Sequence, residues 1–260
     1  GGGQVVDMWP GVEALGSVAY PTLAINASVN KFAELLANVG GRPADLAWSA
    51  LRQPGRDAYL AWRKPVFSPG RVNLSEVICS LNDFLPDDAI IANGAGNYTA
   101  WIHRFYRYRT LGSQLAPTAG SMGYGLPAAV AAKLVQPHRP AIVFAGDGCF
   151  MMTGQELATA VQYQLSVVIV VVNNGMFGTI RMHQERRFPG RVIGTELVNP
   201  DFCALAQAYG AHAERVEETA AFLPTLRRAL DISGPALIEL IVDPEAITPA
   251  RTLSDLKAGG

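Results

Sequence analysis

Cysteine is scarce in this chain: three residues in 260, namely Cys79, Cys149 and Cys203. They are widely spaced and form no CxxC pair. A sparse, odd set of thiols argues against a disulfide framework and points to a reduced, cytoplasmic protein. An excess of one charge is also missing. With 21 Lys+Arg against 22 Asp+Glu the net charge is -1, so no basic surplus indicates nucleic acid or an anionic membrane as a partner. The longest apolar run is of strand length, far below the roughly 20 residues of a membrane span. Gly1-Gly2-Gly3-Gln4 has neither a charged n-region nor an apolar h-region, so the start does not read as a signal peptide. No GxGxxG opens a helix after a first strand with an acid about 20 residues on, which removes a dinucleotide-binding domain. No internal repeat or low-complexity tract occurs.

Apolar residues, in contrast, make up 49% of the chain and charged residues only 17%. That composition supports a sizeable core, in one large α/β domain or one domain plus a fragment. Residues 1–40 hold a short strand within 21–26 and a helix over 29–39, too little to bury a core, and read as the end of a domain whose beginning lies elsewhere. Residues 41–72 are rich in Pro, Gly, Arg and Trp and read as a linker, with a short helix over 44–51. From residue 73 to 255 the pattern alternates. Helices are expected over 74–84 (Ser75 as a cap), 121–135, 153–164, 201–209 and 219–230. Strands are expected over 89–92, 141–144, 167–172, 213–216 and 236–242. Residues 256–260 read as a flexible tail. Alternating strands and helices predict an α/β fold, a mainly parallel, doubly wound sheet flanked by helices.

Two turns carry the chemistry. Asp147 lies in Ala145-Gly146-Asp147-Gly148, directly after an apolar strand. Asn174 lies in Asn173-Asn174-Gly175, after the next one. One βαβ unit separates them, so a carboxylate and a carboxamide oxygen sit at the same end of two parallel strands, where open α/β sheets bind ligands. Two hard oxygens suit Mg²⁺, which completes its octahedron with water and substrate phosphate. Gly146 and Gly148 let a phosphate approach without meeting a Cβ, and amides from Gly148 and Cys149 onward, near a helix start, donate to phosphate oxygens. Alone, Gly-Asp-Gly is equally an ordinary turn; the matched Asn-Asn turn moves the reading to a metal–diphosphate site.

These motifs, with Gly120-Ser121-Met122-Gly123-Tyr124-Gly125-Leu126-Pro127, Gln155-Glu156-Leu157-Ala158 and Asn199-Pro200-Asp201-Phe202, resemble the thiamin-diphosphate-dependent 2-oxo acid decarboxylases and carboligases, acetolactate-synthase-like members above all. The resemblance covers about residues 70–255, the diphosphate-binding domain. It implies Mg²⁺ on the Asp147 and Asn174 side chains and the Met176 carbonyl. It places Gly146, Gly148, Cys149, Phe177 and Gly178 along the diphosphate, joined by Gly96-Asn97-Tyr98, where acetolactate synthases usually carry Gln-His. Gly120, Ser121 and Met122 would meet the pyrimidine. Gly120 would accept from its 4'-amino group, and the adaptable Met122 side chain would wedge under the bent cofactor. Thr179, Ile180 and His183 would border the substrate. At His183 the biosynthetic enzymes usually carry Trp; a histidine there is an acid–base group, a polar contact, or a surface helix residue.

The resemblance further implies a 2-oxo acid such as pyruvate as substrate, an activated aldehyde passed to a carbonyl acceptor, and a homo-oligomer or a separate chain that supplies the pyrimidine-binding domain. The glutamate that activates the cofactor belongs to that domain, so no catalytic residue is expected in this chain, and the 260 residues read as a fragment or one subunit of a split enzyme. The resemblance leaves FAD open as a second cofactor, since the family's site for it lies mostly in the middle domain. A non-catalytic cofactor-binding or regulatory module is the competing reading. Residues 101–109 interleave aromatic and basic side chains, superficially like a nucleic-acid stacking surface; a helix or loop at a subunit contact is the plainer reading.

Overall fold

The computed structural model describes residues 3–40, 46 and 48–258. The chain forms two compact units that divide between Ala58 and Tyr59, inside the stretch read as a linker. In the first unit, β1 (Val6–Trp9) pairs in parallel with β2 (Leu23–Asn26). Helix α1 (Val29–Asn38) follows, with Ser28 as its N-cap. None of the described residues of this unit is buried. The helix expected over 44–51 starts among residues outside the described ones. What is described is a 3₁₀ turn at Ser49–Leu51 and then α2 (Arg52–Trp62).

The second unit is a six-stranded sheet with every pair parallel. Its strands are β3 (Ile90–Asn93), β4 (Gln114–Leu115), β5 (Ala141–Gly146), β6 (Val167–Asn173), β7 (His212–Val216) and β8 (Ala236–Ile241), in the order β4-β3-β5-β6-β8-β7. Its helices are α3 (Leu74–Phe84), α4 (Thr99–Phe105), α5 (Gly125–Val135), α6 (Asp147–Phe150), α7 (Leu157–Gln162), α8 (Gly178–Arg187), α9 (Phe202–Tyr209), α10 (Thr219–Asp231) and α11 (Leu253–Ala258). Every residue from Val167 to Val172 is buried, as expected of a central parallel strand covered on both faces.

The winding places the site. From β3 the chain leaves to β4 on one side and returns to β5 on the other, so the direction of winding reverses between β3 and β5. A crevice opens at such a switch point, beyond the carboxyl ends of the strands. β5 and β6 end level, with Gly146 opposite Val172. This brings the turns after β3, β5 and β6 to one edge.

Several local expectations are corrected. Asn73, not Ser75, caps α3: its side chain accepts from the Ser75 and Glu76 amides at 2.9 and 3.4 Å. The helix expected from residue 121 starts at Gly125, because Gly123 is left-handed (φ 79°) and its carbonyl accepts from Thr153 Oγ1 at 2.7 Å. The segment after β5 is helical from Asp147 itself, and the helix expected over 153–164 is a 3₁₀ turn (Gly154–Glu156) followed by α7. Residues 256–258 of the expected tail belong to α11, whose Leu253 and Leu256 pack with Met176, Met182 and Ile247 in a small second core.

The aromatic–basic stretch is structural. Trp101, Ile102 and Phe105 are buried. Arg104 Nε donates to the Trp62 carbonyl at 2.9 Å, and Arg109 donates to Asp87 and to the Asn82 carbonyl. No ring row is left open for bases. Among the described residues no helix is long and apolar enough to cross a membrane.

Candidate functional site

At the switch point lies a cleft with about 490 Å³ of open space. Its walls are Ala95–Tyr98 after β3, Gly146–Cys149 after β5, Val172, Asn174 and Met176–Ile180 at and after β6, and Met122 before α5. Of the residues expected at the site, Gly96, Asn97, Tyr98, Met122, Gly146, Asp147, Gly148, Cys149, Asn174, Met176, Phe177, Gly178, Thr179 and Ile180 line this one cleft. Gly120, Ser121 and His183 do not: all three are exposed and absent from its walls. Gly120 and Ser121 lie before the left-handed Gly123 that starts the turn into α5. His183 shares the α8 face of Thr179 but lies one turn further on, exposed and beyond the cleft wall, while Met182 and Glu185 are the buried residues of that helix.

Asp147 is 2% exposed. Its Oδ1 accepts from the Gly148 amide at 2.9 Å; its Oδ2 accepts from the Gly175 amide at 2.8 Å and from Asn199 Nδ2 at 2.9 Å. All three donors are neutral. Among the described residues no lysine, arginine or histidine lies within ion-pair distance of it. Burial pushes its carboxyl above the usual range, while the hydrogen bonds from Asn199, Gly148 and Gly175, and more weakly the nearby Met176 amide, pull the other way. A buried carboxylate with neutral partners only is expensive unless a cation joins it. Asn174 stands alongside, its Oδ1 accepting from the Met176 amide at 3.2 Å.

The walls are close-fitting where glycines stand. A Cβ on Gly148 would lie 2.4 Å from the Phe177 ring, and one on Gly94 would lie 2.3 Å from Cys149 Sγ. Cys149 is held by the Tyr98 hydroxyl (3.4 Å) and the Gly123 amide (3.1 Å), which joins the β3 turn to α6. Asn97 is already engaged by protein: its Oδ1 accepts from Thr179 Oγ1 at 2.8 Å and its Nδ2 donates to the Ile247 carbonyl at 3.0 Å. The turn after β6 is clamped by residues 195–197. The Phe177 amide donates to Thr195 O at 2.8 Å and the Leu197 amide to Gly175 O at 2.9 Å. Asn173 and Asn199, bonded to one another, with Asn199 also bonded to Asp147, are site residues that sequence reading missed. The Asn199-Pro200 segment stood out, but nothing local showed which strand end it returns to.

Glu185 fastens α8 from behind and is 0% exposed. It accepts from the Gly190 amide (2.9 Å) and Arg181 Nε (2.9 Å), with Lys257 of α11 at 3.6 Å. The Gly190 hydrogen bond first, then Arg181 and Lys257, hold its carboxyl below the usual glutamate range against the effect of burial. A depressed folded-state pKa stabilises the fold above the ordinary glutamate value, and that contribution disappears as pH falls through the depressed value. Unfolding free energy measured in urea from pH 7 down to 3 is therefore expected to drop less steeply in Glu185→Gln than in the wild type, with the two curves converging in acid. Parallel curves would contradict this role.

Residues 94–240, more than half of the chain, match the family model described as thiamine pyrophosphate enzyme, C-terminal TPP binding domain. The mitochondrial acetolactate synthase catalytic subunit of Aspergillus candidus is 36% identical over 154 residues, covering 59% of this chain and 22% of that protein. The mitochondrial acetolactate synthase of Schizosaccharomyces pombe is 33% identical over 244 residues, 88% of this chain and 35% of that protein. A putative thiamine pyrophosphate-containing protein of Bacillus subtilis is 32% identical over 178 residues, 68% of this chain and 31% of that protein. The chain thus spans between 22% and 35% of the length of these relatives. Its switch-point cleft, its buried acid and these similarities together show that the chain belongs to the thiamine pyrophosphate enzymes, whose C-terminal cofactor-binding domain it contains.

Proposed function

We propose that this chain holds the diphosphate and Mg²⁺ of thiamin diphosphate in an enzyme that decarboxylates a 2-oxo acid such as pyruvate and passes the activated aldehyde unit to a carbonyl acceptor, as the names of its acetolactate synthase relatives suggest. The observation that carries the reading is Asp147: a buried carboxylate at a strand end, in a cleft floored by glycines, with neutral donors only. A cation shared with a diphosphate completes that environment.

Asp147 and Asn174 would hold Mg²⁺ by side chain and Met176 by its carbonyl. Gly146, Gly148, Cys149, Phe177 and Gly178 would surround the diphosphate. The short α6 begins at Asp147, so its first amides would donate to a diphosphate held there. Met122, half-buried against the main core, would bear on the ring portion. The cofactor, when bound, supplies a nucleophilic carbon for the 2-oxo acid carbonyl and an electron sink for loss of carbon dioxide. The chain's own residues bind, orient and exclude water. Among the described residues Asp147 is the one carboxylate lining the cleft, and it is occupied by backbone and amide donors. An acid for the pyrimidine ring would then come from a pyrimidine-binding domain, in the same polypeptide or in a partner chain.

Thermal denaturation of the chain with thiamin diphosphate tests the cofactor assignment. Stabilisation is expected only when Mg²⁺ is present, and none from NAD. Release of carbon dioxide from pyruvate once a pyrimidine-binding domain is supplied would establish catalysis. Cofactor binding with no turnover under those conditions would favour the non-catalytic module.

A further inference from the structure

Glu239 lies on β8, in the sheet interior, and is 2% exposed. Its Oε2 accepts from Arg215 Nε at 2.8 Å, and its Oε1 accepts from Asn173 Nδ2 at 2.8 Å. An ionised carboxylate only accepts hydrogen bonds. Asn173 must therefore turn its amino group toward Glu239 and its oxygen the other way. That oxygen accepts from Asn199 Nδ2 at 2.9 Å and from the Gly175 amide at 3.1 Å. The Asn199 amino group has a second hydrogen, which goes to Asp147 Oδ2 at 2.9 Å.

Donor and acceptor thus alternate without a break from Glu239 through Asn173 and Asn199 to Asp147. The consequence falls on the two Asp147 oxygens. Oδ2 accepts twice, from Asn199 and from the Gly175 amide; Oδ1 accepts once, from the Gly148 amide. A carboxylate oxygen has about two lone-pair sites, so Oδ1 is the oxygen with capacity to spare.

We infer that Glu239 is a positioning residue which, through the amide orientations of Asn173 and Asn199, fixes the Asp147 carboxylate so that Oδ1 is presented to the metal. This rests on the reading of Asp147 as a metal anchor. Without an acceptor at position 239 the Asn173 amide is free to flip. A flipped amide sets its amino group against the Asn199 amino group and the Gly175 amide, donors against donors. Relief comes when Asn199 turns as well, and its oxygen then faces Asp147 Oδ2, acceptor against acceptor. Asp201 and Cys203 also lie near Glu239, but Arg215 already occupies that side, paired with both Glu239 and Asp201, so a second metal there has no room in charge terms.

Outer partners of metal ligands typically change metal affinity by about 10–100-fold when removed. The test is a Mg²⁺ titration of the full chain at saturating thiamin diphosphate, followed by calorimetry, alongside a thermal melt without Mg²⁺. Glu239→Leu is expected to raise the Mg²⁺ needed for half-saturation by about tenfold. Glu239→Gln should restore most of the loss, since the amide oxygen can serve Asn173 while Arg215, at 40% side-chain exposure, keeps Asp201 and water. Asn199→Ala, on a half-buried loop position, should match Glu239→Leu and carries the test if the buried variant fails to fold. A lowered melting temperature with unchanged Mg²⁺ half-saturation in Asn199→Ala or Glu239→Leu would overturn the inference, as would a Gln variant no better than Leu. A wild-type chain that binds the cofactor equally well without Mg²⁺ would overturn the metal reading, and the inference with it.

Discussion

Asp147→Ala is expected to abolish the Mg²⁺-dependent stabilisation by thiamin diphosphate while leaving the unliganded protein within about 1–2 kcal/mol of the wild type. The loss is large because the stabilisation is a binding term. At a hundredfold excess of ligand over Kd it amounts to about 2.7 kcal/mol, on the order of 5–10 °C for a domain of this size. The small change without ligand follows from two opposing effects. Removing the carboxylate leaves the Gly148 and Gly175 amides and Asn199 without their acceptor, at a cost of about 1–3 kcal/mol for each such group that water cannot reach. It also removes a buried anion whose carboxyl is raised by burial. For a raised folded-state pKa, the stabilising contribution is complete below the ordinary aspartate value and is lost as pH rises through the folded one. At neutral pH, then, burial of the charge offsets part of what the side chain's hydrogen bonds contribute, until a cation arrives. Melting curves with and without Mg²⁺ and cofactor read both effects. Retention of the Mg²⁺-dependent shift in the variant would refute the assignment.

Gly125→Ala is expected to destabilise the second unit by about 1–3 kcal/mol, even though alanine is the better helix former. An added Cβ would stand 2.8 Å from Val143 Cγ2 and 2.9 Å from both Asn93 C and Gly94 N. The last two are backbone atoms at the end of β3, which cannot rotate aside. To relieve the overlap α5 must lift from β3 and β5, and the turn from residue 94 to 98 that walls the cleft moves with it. Cofactor affinity should therefore fall along with stability. Gly55→Ala is the matched control. Gly55 also lies in a helix, but a methyl group added there would meet nothing within 4 Å, and a gain of up to about 1 kcal/mol is expected. Equal effects of the two substitutions in urea denaturation would show that packing at Gly125 is not what the geometry implies.

Much of the fold was legible because it is written in local pattern. The run Val167–Val172 is apolar at every position, as only a strand covered on both faces allows. Helices alternate with such strands, which requires parallel crossovers. Asp147 and Asn174 directly follow two strands of one βαβ unit, so their placement at the same end of the sheet needed no further information. Boundaries were less legible where one side chain decides them. Asn73 outcompetes Ser75 as a cap because its oxygen reaches two amides, and Gly123 delays α5 by its left-handed turn. Two-residue β4 shows no periodicity at all; it is a strand only because β3 lies beside it.

Composition, period and the two turns were enough to establish a parallel α/β sheet with a carboxylate and an amide at the same end of two of its strands, since side-chain period and turn chemistry act over a few residues. Strand order was not among the things they could establish. Only the folded chain reverses its winding between β3 and β5, opens a cleft there, leaves His183 exposed beyond it, and brings Asn199 onto Asp147 and Glu239 onto Asn173. Those contacts join residues far apart in the chain, and which distant segments meet is decided by long-range pairing and burial.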